Sequence, residues 1–118
     1  MGVWELRMTS SLTLDSFQSF IRDRYYKTDH ARGTAATFMW FIEEVGELAT
    51  ALHAAAATDG RSPTADARVN LEEEFADVYA WLATLASLHG LDLEAIGRKK
   101  YGGGCPRCVA TPCACPHA

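Results

Sequence analysis

Residues 37–52 read TFMWFIEEVGELATAL, and residues 71–85 read LEEEFADVYAWLATL. At about 100° of rotation per residue, the apolar side chains of each run fall on one continuous helical stripe. The first stripe contains Thr37, Phe41, Glu44, Val45, Leu48, Ala51, Leu52 and Ala55, and the second contains Leu71, Phe75, Val78, Leu82 and Leu85. Each run therefore predicts an amphipathic helix with this stripe as its core face.

The rest of the chain predicts two more helices and no β-strand. Apolar residues recur at helical spacing from Leu14 to Ile21, and Asp92 can cap a short helix that ends near Tyr101. No stretch alternates apolar and polar residues over the length of a strand. The predicted helices cover residues 14–27, 35–57, 64–89 and 92–101. Polar turns are predicted at 28–34 and 58–63. Thr64 or Asp66 is the predicted N-cap of the third helix, and Gly90 is predicted to end it. The sequence therefore predicts an all-α protein.

The composition is that of an ordinary globular domain. The chain has 118 residues, with 15 acidic and 11 basic side chains and a net charge of −4. Because affinity for phosphate backbones comes mainly from Lys and Arg, this balance argues against a nucleic-acid polymer as a partner. No apolar run has the length of a signal-peptide core or a membrane span. We expect a soluble cytoplasmic protein without a membrane partner, with a helical domain over 1–101 and a Cys-rich tail over 102–118.

An acidic pair at spacing i, i+3 accompanies each predicted core stripe. Glu44 lies within the first stripe and Glu47 at its edge. Glu74 and Asp77 flank the second stripe in the same way. Two carboxylates about 6 Å apart repel by roughly 3 kcal/mol at an effective dielectric constant of about 20, so four that converge need a cation. Oxygen ligands without His or Cys suit Mg²⁺ or Mn²⁺, and the sequence therefore predicts such a metal site.

The runs EEVGEL at residues 43–48 and EEFADV at 73–78 together resemble the paired acidic motifs of the MazG-like, all-α nucleoside triphosphate pyrophosphohydrolases. The resemblance extends over about residues 29–101. It implies Mg²⁺-dependent hydrolysis between the α and β phosphates of a (deoxy)nucleoside triphosphate, with the metal held by the residues that match Glu44, Glu47, Glu74 and Asp77. It also implies an antiparallel helical bundle that is completed in a homodimer or homotetramer.

Two other functions fit the same residues. A phosphoribosyl-ATP type of pyrophosphohydrolase can use the same metal site. Alternatively, the protein is a non-catalytic helical dimerisation module that holds a structural metal and binds a partner through its tail. A nucleotide panel with Mg²⁺ separates these three functions.

Further side chains near the acids are candidates for catalysis and for substrate binding. Glu43 or Glu47 is the candidate for activating water, although Glu43, like Glu72 and Glu73, is also explained by a solvated helix surface. Trp40 and Trp81 share the helical phases of the acids, so either ring can stack on a base, and packing in the core is the alternative for both.

Basic residues follow on the last predicted helix. Lys100 is the best match to the lysine that the resemblance implies, and Arg98 and Lys99 stand beside it as further phosphate ligands. Similar proteins often carry an asparagine shortly after that lysine, whereas this chain has three glycines at 102–104.

All four cysteines lie in the tail. They are Cys105, Cys108, Cys113 and Cys115, with His117 close by. Disulfide frameworks distribute their cysteines over a fold, so this clustering points to Zn²⁺ ligation or to a redox-sensitive thiol tail instead. The short spacing of the second pair and the short connecting loop leave both interpretations open.

Overall fold

A computed structural model describes residues 12–56 and 64–116 of the chain. These residues form three helices and no strand: α1, Leu14–Ala55; α2, Ala65–Leu88; and α3, Leu93–Tyr101. The all-α prediction is therefore confirmed for this part of the protein. The N-terminal residues 1–11, the predicted end of a helix at Ala57, the loop at 58–63 and His117 lie outside the described residues.

Helix α1 joins the two helices that were predicted on either side of a turn at 28–34. The prediction of that turn is wrong, because the helix continues as far as Arg32. Gly33 is the one residue of α1 with non-helical backbone, at φ 78° and ψ 175°. Glycine reaches this region without a Cβ clash, so the chain bends at Gly33 and then resumes the helix. We call residues 14–32 segment α1N and residues 34–55 segment α1C.

Short polar side chains cap all three helices. Thr13 and Ser16 form a capping box at the start of α1. The Thr64 hydroxyl accepts a hydrogen bond from the Ala67 N–H at 3.1 Å, which shows that Thr64 is the cap of α2. The Asp92 carboxylate accepts one from the Ala95 N–H at 2.8 Å and caps α3 as predicted. Each side chain satisfies a backbone donor that has no partner within the helix.

Segment α1C packs antiparallel against α2. Three contacts between the two helices show this register: Thr34 with His89, Trp40 with Trp81, and Glu44 with Asp77. This antiparallel pairing brings the two predicted acidic motifs to the same level of the helix pair.

Segment α1N contacts the C-terminal half of α2 and holds the start of α3. The Gln18 amide donates to the Leu91 carbonyl oxygen at 2.7 Å and accepts from the Leu93 N–H at 2.8 Å. The Phe17 ring stacks on Tyr79 with ring centroids 4.2 Å apart. These contacts order the connection between α2 and α3.

The buried apolar core of the described residues is small. Its members are Ile21, Ala51, Ala83 and Ala86. The predicted core stripes are only partly buried in one protomer: Phe75 is 53% exposed, Leu82 42% and Leu52 46%. In α2 the buried residues are Ala83, Thr84 and Ala86, which lie outside the predicted stripe, and no member of that stripe is fully buried. The predicted core face is therefore wrong for the packing of α2 within one protomer. None of the described helices has the length and apolar character needed to cross a membrane.

Candidate metal centre and the cavity beside it

Four carboxylates converge between α1C and α2. Oxygen atoms of Glu44, Glu74 and Asp77 all lie within 4.8 Å of one another. The Glu47 carboxylate is close enough to interact with both Glu44 and Glu74. The structure therefore brings together the four acids that were predicted from helical phase, with two contributed by each helix.

The electrostatics of this cluster are unfavourable without a cation. Burial, followed by the charges of Glu47 and Asp77, raises the pKa of Glu44 to about 6. The same causes, in the same order, raise the pKa of Glu74. Each change means that the protein environment disfavours the ionised carboxylate.

The cluster also contains buried oxygen atoms that lack hydrogen-bond partners. Among the described residues, the Oε2 atoms of Glu44 and Glu74 are buried and accept no hydrogen bond. Unpaired buried carboxylate oxygens are costly, and a divalent cation satisfies them while it neutralises the charge. The residues present therefore fit a hard, oxygen-preferring ion such as Mg²⁺ or Mn²⁺.

A cavity of about 540 Å³ lies next to the acids and is lined in part by Asp77. The Arg32 guanidinium enters this cavity from α1N and lies 4.9 Å from the centre of the Trp81 ring. Asp29, which is buried, accepts a hydrogen bond from Arg32 at 3.0 Å and one from the Thr84 hydroxyl at 3.3 Å. The cavity is thus lined by the Trp81 ring and the Arg32 guanidinium on one side and reaches the carboxylate cluster at Asp77.

Sequence reasoning missed Asp29 and Arg32 as site residues. Both were assigned to the polar turn at 28–34, whereas the structure places them in the last turn of α1N before Gly33. Their opposite charges at spacing i, i+3 were the available signal, because this spacing puts two side chains on one face of a helix.

The two tryptophans occupy different positions relative to the cavity. Trp81 lines it directly. Trp40 stacks on Trp81, with ring centroids 6.2 Å apart and planes within 12° of parallel, and is 48% exposed. Of the two rings, Trp81 is the one placed to contact a ligand in this cavity.

The remaining predicted residues are not brought to the acids within this protomer. Glu43 is exposed and does not belong to the group of converging oxygens. Arg98 pairs with Glu94 at 3.3 Å, and the Lys100 ammonium lies 5.5 Å from the centre of the Tyr101 ring. Arg98 and Lys99 line a separate groove beside Asp15 and outside the cavity that Asp77 lines. Their proposed contacts with phosphate stay predictions.

The fold and the site define an all-helical protein with an acidic, cation-type centre between two antiparallel helices. A family model described as the MazG nucleotide pyrophosphohydrolase domain matches residues 32–107. This match covers more than half of the chain, and the protein therefore belongs to the MazG nucleotide pyrophosphohydrolase domain family. The predicted resemblance is confirmed, and the family indicates a nucleotide pyrophosphohydrolase. No curated protein matches the chain.

Proposed function

We propose that the protein is a Mg²⁺-dependent hydrolase that cleaves between the α and β phosphates of a (deoxy)nucleoside triphosphate, releasing a monophosphate and pyrophosphate. The observation that carries this proposal is the convergence of the Glu44, Glu74 and Asp77 carboxylates, with Glu47 interacting with both glutamates, inside the region that matches the family. Glu44 and Glu74 each have an unpaired buried oxygen. Mn²⁺ is the alternative ion for the same oxygen ligands.

The four acids have different tasks in this reaction. Glu44, Glu47, Glu74 and Asp77 hold Mg²⁺, which when bound neutralises phosphate charge and orients the leaving pyrophosphate. Glu47 is exposed at the edge of the cluster, so its carboxylate can also accept a proton from an attacking water. Glu43 is the alternative base, one residue before Glu44 on the exposed side of α1C.

The cavity beside Asp77 is our proposed site for the nucleobase. Its volume of about 540 Å³ lies within the usual range of small-molecule sites, about 300–1,000 Å³. A base that packs against Trp81 and the Arg32 guanidinium in this cavity can extend its phosphates toward Asp77, which lines the same cavity. Lys100, with Arg98 and Lys99, is the proposed source of further positive charge for the phosphates.

We also propose that a second copy of the chain covers the exposed apolar side of the helix pair. The exposed apolar residues of α1C and α2 include Phe38, Ile42, Leu52, Val69 and Phe75, which are each at least 46% exposed. Because the described residues include so few buried apolar side chains, this part of one protomer gains little from burial alone. A homodimer, or a homotetramer built from it, turns this helix pair into a bundle with a continuous core.

A substrate panel tests the activity. Purified protein with Mg²⁺ is incubated with the common ribo- and deoxyribonucleoside triphosphates and with phosphoribosyl-ATP, and the products are separated. We expect a monophosphate and pyrophosphate from at least one triphosphate. Turnover of phosphoribosyl-ATP without turnover of any common triphosphate would identify the alternative, a phosphoribosyl-ATP type of pyrophosphohydrolase. Release of orthophosphate alone would contradict cleavage between the α and β phosphates.

Matched variants connect the activity to the site. Glu74→Gln combined with Asp77→Asn removes two charges from the cluster and should abolish turnover. Glu72→Gln is the control, because Glu72 is exposed and pairs with Arg68 at 3.5 Å, away from the converging carboxylates. Equal activity of the two variants overturns the proposed role of the acids.

A further inference from the structure

The four cysteine sulfurs of the tail form a compact group. All four Sγ atoms lie within 4.8 Å of one another. The Sγ of Cys105 is 3.4 Å from that of Cys113 and 3.7 Å from that of Cys115, and the Sγ atoms of Cys108 and Cys113 are 3.9 Å apart. Thiolates at the corners of a tetrahedron with Zn–S bonds of about 2.3 Å are about 3.8 Å apart, so these separations suit tetrahedral coordination. They are much longer than a disulfide bond, and all four cysteines are free.

Backbone N–H groups point at the sulfurs of Cys105, Cys108 and Cys113. The N–H groups of Arg107 and Cys108 donate to the Cys105 sulfur. The Ala114 N–H donates to Cys108 at 3.3 Å, and the Cys115 N–H donates to Cys113 at 3.4 Å. Hydrogen bonds of this kind stabilise thiolates, which are the form of cysteine that binds metal.

The loop between the two cysteine pairs adopts a tight conformation without an apolar core to support it. Val109 has a φ of 64°, which is unfavourable for a β-branched residue. Gly104 has a φ of 105°, and a Cβ at this position would meet the Val109 carbonyl oxygen. No residue from 102 to 116 is buried. A strained segment of this size persists when a cross-link or a metal ion fixes it.

We propose that Cys105, Cys108, Cys113 and Cys115 bind one Zn²⁺ ion in a closed, structural site. Four thiolates fill a tetrahedral coordination sphere and leave no position for substrate or water, so the role is not catalytic. The site is separate from the carboxylate cluster in its ligands as well as its place in the fold. Soft thiolates select zinc, whereas the oxygens of the acidic cluster select a hard ion.

The consequence of zinc binding is a fixed end for α3. The Gly102 N–H donates to the Arg98 carbonyl oxygen at 2.7 Å, and the Gly104 N–H donates to that of Tyr101 at 3.2 Å. The tail therefore begins directly on the last turn of the helix that carries Arg98, Lys99 and Lys100. With zinc bound, the four thiolates constrain residues 105–115 and hold this end of α3 in place.

Native mass spectrometry of the full chain tests the site. Protein that has been reduced, stripped with a chelator and mixed with equimolar zinc should carry one Zn²⁺ per chain. Cys105→Ser and Cys113→Ser should each weaken zinc binding by more than about 100-fold, which is beyond the loss expected from a residue that only supports a ligand. The control Val109→Gly should keep the metal, because glycine adopts the observed φ without strain.

Two further measurements identify the coordination. Co²⁺ in place of zinc should give the visible absorption of tetrahedral thiolate coordination, and zinc should protect all four cysteines from alkylation until a chelator is added. Far-ultraviolet circular dichroism of the Cys→Ser variants should show retained helix, because α1 and α2 make the main helix contacts of the protomer.

Three results would overturn the proposal. The first is the absence of bound zinc in reduced wild-type protein, which leaves a thiol tail. The second is stoichiometric zinc that is lost from Glu44→Gln but not from Cys105→Ser, which places the ion on the acids. The third is iron instead of zinc in protein isolated under reducing conditions.

Discussion

At the scale of single residues, the buried Asp29 carboxylate connects the stability of the protein to its proposed base site. The Arg32 guanidinium is 3.0 Å from Asp29 and also donates to the Thr37 hydroxyl at 3.4 Å. Replacing both partners of a buried ion pair by apolar groups costs little stability. Replacing only one partner costs much more, because it leaves an uncompensated charge in the interior. Arg32 therefore supplies the positive charge that faces the buried Asp29 carboxylate, and its guanidinium also lies over the Trp81 ring.

This arrangement predicts strong non-additivity. Arg32→Met should lower the free energy of unfolding by about 3 kcal/mol, because Asp29 loses its cation. The double variant Asp29→Leu with Arg32→Met should be more stable than Arg32→Met alone, because it leaves no unpaired charge. Urea unfolding followed by circular dichroism measures both. Losses that simply add would contradict the pairing.

The raised pKa of Glu44 predicts a pH-dependent response to Mg²⁺. In the folded, metal-free protein the pKa of Glu44 is raised to about 6, mainly by burial, whereas in the unfolded chain it has its ordinary value of 4.5. The folded state binds more protons between these values, so the stability of the metal-free protein falls as the pH rises through this range. Mg²⁺ competes with that proton, so the rise in Tm on adding Mg²⁺ should be larger well above pH 6 than below it.

Two variants test this competition by differential scanning fluorimetry. Glu44→Gln removes the titrating carboxyl and should greatly reduce the pH dependence of the Mg²⁺ effect. Glu72→Gln, at an exposed position of α2, should leave it unchanged. A Mg²⁺ effect that is the same on both sides of pH 6 in the wild-type protein would disprove the competition.

At the scale of elements, Gly33 determines the shape of α1. Its φ of 78° and ψ of 175° lie in a region that is almost exclusive to glycine. Gly33→Ala should therefore lower the free energy of unfolding by about 1–3 kcal/mol even though there is free space around the missing Cβ. The strain arises from the backbone and not from a clash.

Gly97 is the matched control for this substitution. It also has free space for a Cβ but has helical backbone within α3, so Gly97→Ala should stabilise the protein by about 0.5–1 kcal/mol. Equilibrium denaturation compares the two variants. Equal effects at positions 33 and 97 would rule out backbone strain as the cause.

The elements also show where sequence reasoning succeeds. Helical rotation alone places Glu44 and Asp77 in or next to the apolar stripes of their own helices. The convergence of the acids could therefore be predicted before any contact was known. The helical state of residues 28–32 could not, because Asp29 and Arg32 obtain their partners from Thr84 and Trp81, more than 48 residues away in the chain. Local polarity favoured a turn there, and tertiary contacts outweigh it.

At the scale of the whole molecule, the sequence predicts which side of each helix is apolar but not what covers it. Small residues such as Ala51 on the first stripe and Ala83 next to the second are buried within the protomer, while Leu52 and Phe75 on the stripes remain about half exposed. A single chain contains no further long helix among its described residues to cover them. The proposed second copy accounts for the larger side chains that the protomer leaves exposed.

This proposal predicts that stability depends on protein concentration. Size-exclusion chromatography with light scattering should give at least the mass of a dimer, and Tm should rise with concentration because association occurs only in the folded state.

Leu52→Glu should shift the protein toward the monomer and lower Tm, because it places a charge on the proposed interface. Tyr26→Glu is the control: Tyr26 is similarly exposed, at 53%, but lies on α1N, outside the proposed interface. A wild-type monomer whose Tm is independent of concentration would show that the exposed apolar side chains do not bind a second copy.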